Sequence, residues 1–501
     1  MPDPNTQSSF RNIMKGTALF GGTQVFTTGI NLVKGKLVAA ILGAMGMGIS
    51  SHLSSTLSPI QQFFSFGLTT SAVKSISATT NEQERSALMK SLRRLMLLLA
   101  LIAMSATAGC SVWLSMLTFQ TPSHWPWFVM LGIAVFFLML SSGETAILQG
   151  MRALKALAIC NFVSPLSGLF ISVPLYWVWG IEGIAPAMMA LGLISWVTAR
   201  HFTWRIHLVP VPQSWRTTLS LGRDMLTLGF TIMVGGVIGS LAIYAVNTFI
   251  AHYGTESDLG LYQAASIITV QCATLVFTAM GTDFFPHLSS LIHQRHRATL
   301  LIGQQGEIVL LLIVPVSLIL ITLAPIAVRV LLTSEFTPIT FLLRAMSVSL
   351  LSRAICYPLD YICIAKGDHT YFFLIECVWT NIKTVTLTIV GYTLGGIDGI
   401  AIGFLIGVPI EIAVSILFNR WRYGIGYTSS YYRLASFLTA ALLGCFAASF
   451  VPSLPVAYTL MALISLATCA YAYQQIDQRI NIRNLIQQKT HARSQRSRGS
   501  L

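Results

Sequence analysis

The chain has few charged residues for its length. Only 10% of its 501 residues are Asp, Glu, Lys or Arg, whereas 54% are hydrophobic. A soluble globular domain carries about 25% charged residues, so this composition cannot cover a water-facing surface. The shortage of charge excludes a soluble protein and predicts one whose surface lies mostly in lipid.

The sequence also lacks the patterns of metal, disulfide and enzyme chemistry. Its eight cysteines lie in apolar stretches and form neither a Cys-x-x-Cys pair nor a Cys/His cluster, so we expect no disulfide framework and no metal site. No loop is long enough to form a catalytic domain outside the membrane. No Walker A pattern, GxxxxGK[ST], occurs, so ATP is not the direct energy source. We therefore expect neither an enzyme nor a cofactor.

The apolar residues fall in runs long enough to cross a bilayer as helices, which need about 20 residues each. This predicts an all-α polytopic membrane protein with about fourteen transmembrane helices. The predicted spans are 12–42, 46–76, 91–118, 125–150, 154–178, 183–205, 223–251, 257–291, 306–333, 337–365, 370–393, 396–419, 432–451 and 454–475.

Lys and Arg are distributed unequally between the two ends of these spans. Twenty-four of the 31 flank one set of connections or lie in the termini, and none lies in the opposite connections. Because cytoplasmic loops are enriched in Lys and Arg, both termini are predicted to be cytoplasmic. The net charge of +14 is thus expected to face anionic lipid headgroups, and we expect no nucleic-acid partner.

Two similar passages indicate an internal repeat. One contains Gly43 and Gly48 after the first span, and the other contains Gly254 and Gly260 after the seventh. Six spans separate the two passages, so both copies enter the membrane with the same polarity, as in a parallel repeat. The predicted regions are an N-terminus (1–11), a six-helix lobe (12–205), a connector (206–222), a second six-helix lobe (223–419), two further helices (432–475) and a basic tail (476–501).

Ionisable residues inside spans are candidates for function because each is costly in hydrocarbon unless it is paired or hydrated. Lys34 and Lys36 in the first span point about 200° apart on a helix, unless Gly35 loosens the turn. Lys36 aligns in the repeat with Asn247, seven residues before the matched glycine. We predict that all three polar residues bind substrate; the alternative for the lysines is snorkelling towards the headgroups.

The second lobe carries two oppositely charged pairs. Arg353 and Asp360 are seven residues apart, as are Glu376 and Lys383, and this spacing places each pair on one helix face. Arg353 and Lys383 lie near the middle of their spans, so we predict that they bind an anionic substrate. Asp360 and Glu376 are predicted to be structural partners of these cations, and purely structural pairs remain the alternative.

Two other acids are candidates for ion coupling. Asp283 and Glu144 have no Lys or Arg at i±3 or i±4 to fix their charge. A carboxylate that alternates between hydrated and occluded surroundings can bind and release a proton. His287, one turn from Asp283, is able to titrate with it.

Several passages resemble the polysaccharide flippases of the multidrug/oligosaccharidyl-lipid/polysaccharide exporter superfamily, and most closely the Wzx-type O-antigen translocases. They are KGTALFGGTQVFTTGINLVKGKLVAAILGAMGMG (15–48), AMGTDFFPHLSSL (279–291), LLTSEF (331–336) and LLRAMSVSLLSRAICYPLDYICIAKG (342–367). GTDFFPHLS is the most specific, and the resemblance covers nearly all of 12–475.

The resemblance implies two six-helix bundles around a cationic cavity in the bacterial inner membrane. It implies a substrate of undecaprenyl-pyrophosphate-linked oligosaccharide, flipped from the inner to the outer leaflet and driven by an ion gradient. Lys36 would then contact the pyrophosphate, and Asp283 matches the acidic residue of the eighth-span motif. Membrane lipids, a polysaccharide polymerase and a chain-length regulator are the candidate partners. A lipid II flippase and a multidrug exporter of the same superfamily remain the alternatives.

Overall fold

The structure, a computed structural model, describes residues 4–79, 81–206, 214–292 and 294–480. Side chains are described from residue 26 onward, except at 154, 224, 227, 228, 231, 275, 278–283, 285, 286, 290, 369, 479 and 480. These residues form fifteen α-helices and no β-strand. The predicted all-α class is therefore confirmed.

The helices follow one another with short connections. The first eight are α1 (Pro4–Ser65), α2 (Leu68–Ala78), α3 (Glu82–Gly109), α4 (Ser111–Phe119), α5 (Trp125–Gly150), α6 (Leu154–Trp179), α7 (Ile184–Trp204) and α8 (Trp215–Tyr253). The others are α9 (Glu256–Leu291), α10 (Arg295–Leu331), α11 (Thr340–Ala365), α12 (His369–Phe372), α13 (Thr380–Tyr423), α14 (Ser429–Ala448) and α15 (Leu454–Ile480). Short 3₁₀ segments cover Pro122–His124, Gly180–Gly183 and Ser334–Ile339, and a π-helix covers Phe373–Trp379.

Glycines interrupt two long helices where the sequence predicts turns between spans. Gly43 breaks α1 with a φ of 65°, and Gly396 breaks α13 with a φ of 57°. Only glycine adopts this left-handed backbone without steric cost. The first break falls between the first and second predicted spans, and the second falls at the start of the twelfth.

Two other breaks were not predicted. The second predicted span, 46–76, is interrupted at Phe66 and Gly67, which have φ values of 47° and 61°. The third, 91–118, bends by 64° between α3 and α4. Within the described residues, nine helices are long and apolar enough to span a membrane, or ten if the bent pair is one span. The count of fourteen is not confirmed: Lys155–Trp204 and Thr370–Tyr423 each cover two predicted spans, and the eighth predicted span, 257–291, is not among the nine.

Exposed tryptophans lie at the ends of two successive helices, α6 and α7. Trp177 and Trp179, at the end of α6, are 80% and 55% exposed, and Trp204, at the end of α7, is 81% exposed. The 21 residues of α7 span about 31 Å at 1.5 Å per residue, close to the thickness of a bilayer core. Tryptophan belts at both interfaces are typical of a multi-pass membrane protein.

The chain divides into two compact units. The first comprises Met1–Ala264, Val328–Ile339 and Phe373–Ile397, and the second comprises Ala265–Ala327, Thr340–Phe372 and Asp398–Leu501. The division of the sequence into two tandem lobes at 206–222 stays a prediction.

Inside the first unit, the two repeat glycines meet each other. A Cβ added at Gly48 in α1 would lie 1.8 Å from the carbonyl oxygen of Glu256, and one added at Gly260 in α9 would lie 1.9 Å from that of Ala44. Each glycine therefore faces the carbonyl four residues before its counterpart. Such small residues let two helix backbones touch, and this contact positions the polar residues described next.

Candidate functional site

Lys34 and Lys36 lie in the part of α1 that precedes the break at Gly43. Lys34 is half-buried and Lys36 is exposed. Within α1, non-helical backbone is confined to Gly43, so Gly35 does not loosen the turn between the lysines. The two side chains therefore leave the helix in nearly opposite directions, and only one of them can face a given cavity.

Arg353 lies at the midpoint of α11 in the second unit, and its side chain is exposed. It shares a helix face with Tyr357 and Tyr361, whose rings are 5.1 Å apart. The Tyr357 hydroxyl donates a hydrogen bond of 2.9 Å to the carbonyl oxygen of Phe277, and Phe284 packs edge-on against Tyr361 at 5.7 Å. A cation beside ordered aromatic rings has the chemistry to bind an anionic sugar derivative.

The two predicted ion pairs of the second lobe stay predictions. Asp360 is half-buried on α11, two helical turns along from Arg353. Glu376 lies in the π-helix and Lys383 lies just beyond it, in α13. Because a π-helix turns more slowly than an α-helix, the seven-residue spacing no longer places Glu376 and Lys383 directly above one another. The side chain of Asp283 lies outside the described residues.

Glu144 is the centre of a buried ionic cluster. It is 5% exposed on α5, and its carboxylate accepts hydrogen bonds of 2.9 Å from Arg93 Nε and Nη2 of α3. Arg200 Nη1 of α7 donates at 2.9 Å and Thr203 Oγ1 at 2.6 Å. Glu144 has no Lys or Arg at i±3 or i±4 in its own helix, but two neighbouring helices supply one cation each. Its role in ion coupling stays a prediction.

Asn247 is 1% exposed on α8 and connects α8 to α1. Its Nδ2 donates a hydrogen bond of 3.2 Å to Ser51 Oγ. Among the described atoms, its Oδ1 is buried without a hydrogen-bond partner. The predicted counterpart of Lys36 therefore contacts the part of α1 that follows the break, fifteen residues further along the chain than Lys36.

A buried histidine that the sequence analysis missed lies beside Asn247. His52 of α1 has a side-chain exposure of 0% and joins α8 to the start of α9. Its Nδ1 is 3.1 Å from Glu256 Oε1, and its Nε2 is 3.1 Å from Thr248 Oγ1. The second carboxylate oxygen of Glu256 is buried without a partner among the described atoms. His52 could have been identified from the sequence, because a histidine inside a predicted span is an unusual polar residue. Its partner could not, because Glu256 falls in a predicted loop.

The sequence matches a family model, and the fold matches solved structures. The family model described as polysaccharide biosynthesis protein matches residues 13–292. A search of curated proteins finds no match.

Solved structures share the fold at low identity. The lipid II flippase MurJ, in an inward closed conformation, is 14% identical, with 93% of this chain and 99% of that chain covered and a TM-score of 0.70. An inward-facing multidrug resistance transporter of the MATE family of the MOP superfamily is 14% identical, with 79% and 94% covered and a TM-score of 0.67. A MOP superfamily transporter from Pyrococcus furiosus is 13% identical, with 82% and 96% covered and a TM-score of 0.59. The chain thus shares its fold with a flippase and with two transporters of the MOP superfamily.

Proposed function

Because the chain belongs to the polysaccharide biosynthesis protein family, we propose that it flips undecaprenyl-pyrophosphate-linked oligosaccharide repeat units across the bacterial inner membrane. The units move from the inner to the outer leaflet and serve O-antigen or a related surface polysaccharide. Both termini are cytoplasmic, and an ion gradient drives alternating access. A polysaccharide polymerase and a chain-length regulator receive the product on the outer side.

The observation that carries the proposal is the exposed guanidinium of Arg353 halfway along α11. A charged side chain at the centre of a bilayer costs about 2.5–3.5 kcal/mol on insertion scales, so such residues face a hydrated path or a ligand. Arg353 is too far from either end of its helix to snorkel. Its position supports a polar pathway that carries a negatively charged headgroup through the membrane.

The chemistry of the substrate fits such a pathway. A lipid-linked oligosaccharide keeps its hydrocarbon tail in the bilayer, so only the sugars and the pyrophosphate require polar surroundings. Arg353 is suited to bidentate contact with phosphate oxygens, and the neighbouring tyrosines can stack on sugar rings. Lys36, Lys34, Lys383 and Asn247 are proposed as further contacts, with Lys acting as a mobile point charge.

Reconstituted protein tests the proposal. In proteoliposomes that contain a lipid-linked oligosaccharide, Arg353→Gln should slow flipping about 10-fold to 100-fold, because a hydrogen bond to a charged group contributes about 1.5–3 kcal/mol. Arg353→Lys should retain part of the rate. The matched control is Arg329→Gln, which removes an exposed cation near the end of α10 and should leave the rate unchanged. Equal rates for Arg353→Gln and the unaltered protein would refute the role of Arg353.

A lipid II flippase is the second candidate, and the TM-score of 0.70 to MurJ over 99% of that chain supports it. Both substrates carry a pyrophosphate on a polyprenyl tail, so Arg353 serves either. Competition distinguishes them: excess lipid II should leave oligosaccharide flipping intact if the site selects the repeat unit. A multidrug exporter is disfavoured, because a mid-span guanidinium repels organic cations.

A further inference from the structure

A buried polar cluster lies where α1, α8 and α9 meet, at the end of the helices that carries the turns at Gly43 and Gly254. Its centre is the contact between His52 and Glu256, which are 204 residues apart in the chain. The His52 side chain is fully buried and that of Glu256 is 19% exposed, and ionisable side chains within membrane helices mark functional positions. None of the predicted substrate contacts or coupling acids accounts for this one.

We propose that His52 and Glu256 form a proton-binding latch that holds the second half of α1 against the start of α9 and releases it when the proton leaves. The proposal rests on the proposed transport function, because it assumes that these helices separate during alternating access. On the predicted topology, the latch closes the periplasmic side.

Hydrogen-bond chemistry allows the pair to hold either one or two protons while its contacts persist. An ionised carboxylate only accepts hydrogen bonds, so Nδ1 of His52 carries the proton that lies between it and Glu256 Oε1, 3.1 Å away. Nε2 then accepts a hydrogen bond from the Thr248 hydroxyl, 3.1 Å away. When a second proton binds, Nε2 becomes a donor, and the hydroxyl rotates to accept from it.

The added proton strengthens the closed contact. With one proton the pair carries a net charge of −1 on a carboxylate that is only 19% exposed, and burying most of a charge without a counter-ion is costly. With two protons the charge is zero and the contact becomes an imidazolium–carboxylate pair, whose hydrogen bond is about twice as strong as a neutral one. Proton binding therefore favours closure, and deprotonation favours a hydrated, open arrangement.

Other titratable groups lie near the pair, each with a hydrogen-bond partner of its own. His252 of α8 lies 6.4 Å from the His52 ring and is 2.9 Å from the Thr118 carbonyl oxygen, to which its Nε2 donates. Asp258 accepts hydrogen bonds from Thr255 and from the Tyr392 hydroxyl, at 3.0 Å each. Earlier in α1, Glu335 accepts a hydrogen bond from the Ala44 amide, and the rings of Phe119 and Tyr244 lie 5.3 Å and 6.4 Å from the His52 ring.

The glycine contact gives the latch its geometry. Gly48 lies one turn before His52, and Glu256 lies one turn before Gly260. Because the backbones touch at the two glycines, the short reach of an imidazole and a carboxylate is enough to bridge the helices. Any separation of α1 from α9 breaks the bridge and admits water to the unpartnered oxygen of Glu256.

Pulsed electron paramagnetic resonance on the full-length protein tests the latch without any substrate. Spin labels at Ser54→Cys in α1 and Ser257→Cys in α9, in a background without the native cysteines, report the helix separation between pH 5 and pH 9. The distance should be short at low pH and several ångströms longer at high pH. Glu256→Gln and His52→Gln should each abolish this transition, while the matched control Asp258→Asn should keep it.

The outcomes separate the latch from the proposed function. If both variants are folded by size-exclusion chromatography and the pH transition persists, the latch is refuted. A distance that does not change with pH in the parent protein refutes it as well. If the transition occurs and both variants abolish it, but the protein flips no lipid-linked oligosaccharide, the latch stands and the substrate proposal fails.

Discussion

Replacing Glu144 with Gln distinguishes a structural clamp from an ion-coupling site. The carboxylate holds α3 and α7 against α5 through Arg93, Arg200 and Thr203, at distances between 2.6 and 2.9 Å. Breaking a fully buried ion pair costs about 3–5 kcal/mol, because the partner is left charged and buried. Here the arginine side chains are 22% and 41% exposed, so water replaces part of the broken interaction, and we expect about 2–3 kcal/mol.

The assay combines thermal unfolding in detergent with flipping under an imposed proton gradient. Glu144→Gln should lower the melting temperature, and a normal, gradient-dependent flipping rate in the protein that remains folded would assign Glu144 to the clamp alone. Adding Arg93→Gln should recover part of the stability, since it removes one of two arginines that repel each other without the carboxylate. Glu84→Gln is the control, because Glu84 is an exposed glutamate in the first turn of α3. An unchanged melting temperature together with gradient-independent flipping would refute the clamp and identify Glu144 as a coupling residue.

Three further predictions concern the glycine contact, the topology and Asp283. Gly48→Ala should impair closure, because the helices must separate by about 1.6 Å to move the added Cβ from 1.8 Å to an ordinary 3.4 Å from the Glu256 carbonyl oxygen. The control Gly29→Ala, where nothing lies within 4 Å, should be tolerated. Spin-label distances measure both outcomes. Cysteines at Ser123 and Ser257 should react with an impermeant reagent on intact inner membranes, and labelling only after permeabilisation would overturn the topology. Asp283→Asn should block gradient-driven flipping while substrate still binds, and full activity would remove Asp283 from the coupling mechanism.

The sequence predicts features that depend on local chemistry and misses those that depend on tertiary contacts. The break at Gly43 was predictable because a glycine there ends an apolar run of spanning length. The arginines around Glu144 were not, since helical periodicity reports only neighbours three or four residues away, and these lie 51 and 56 residues away in sequence. The pair His52 and Glu256 was missed because Glu256 falls in a predicted loop. A carboxylate in a loop is expected to be hydrated, so it does not indicate a buried partner.

The packing of Gly48 against Gly260 suits a surface that must open as readily as it closes. Helices in lipid associate through packing of small residues rather than through the hydrophobic effect, so separating two glycine surfaces sacrifices little apolar burial. The main polar interaction that such a separation breaks is then the hydrogen bond between His52 and Glu256. A ligand shifts a two-state equilibrium only by its differential affinity for the states, and a tenfold difference in proton affinity corresponds to about 1.4 kcal/mol. Separating an interface of large side chains would cost more free energy than one proton supplies. Separating an interface built on glycines costs little, so binding of a single proton is enough to shift the equilibrium between open and closed.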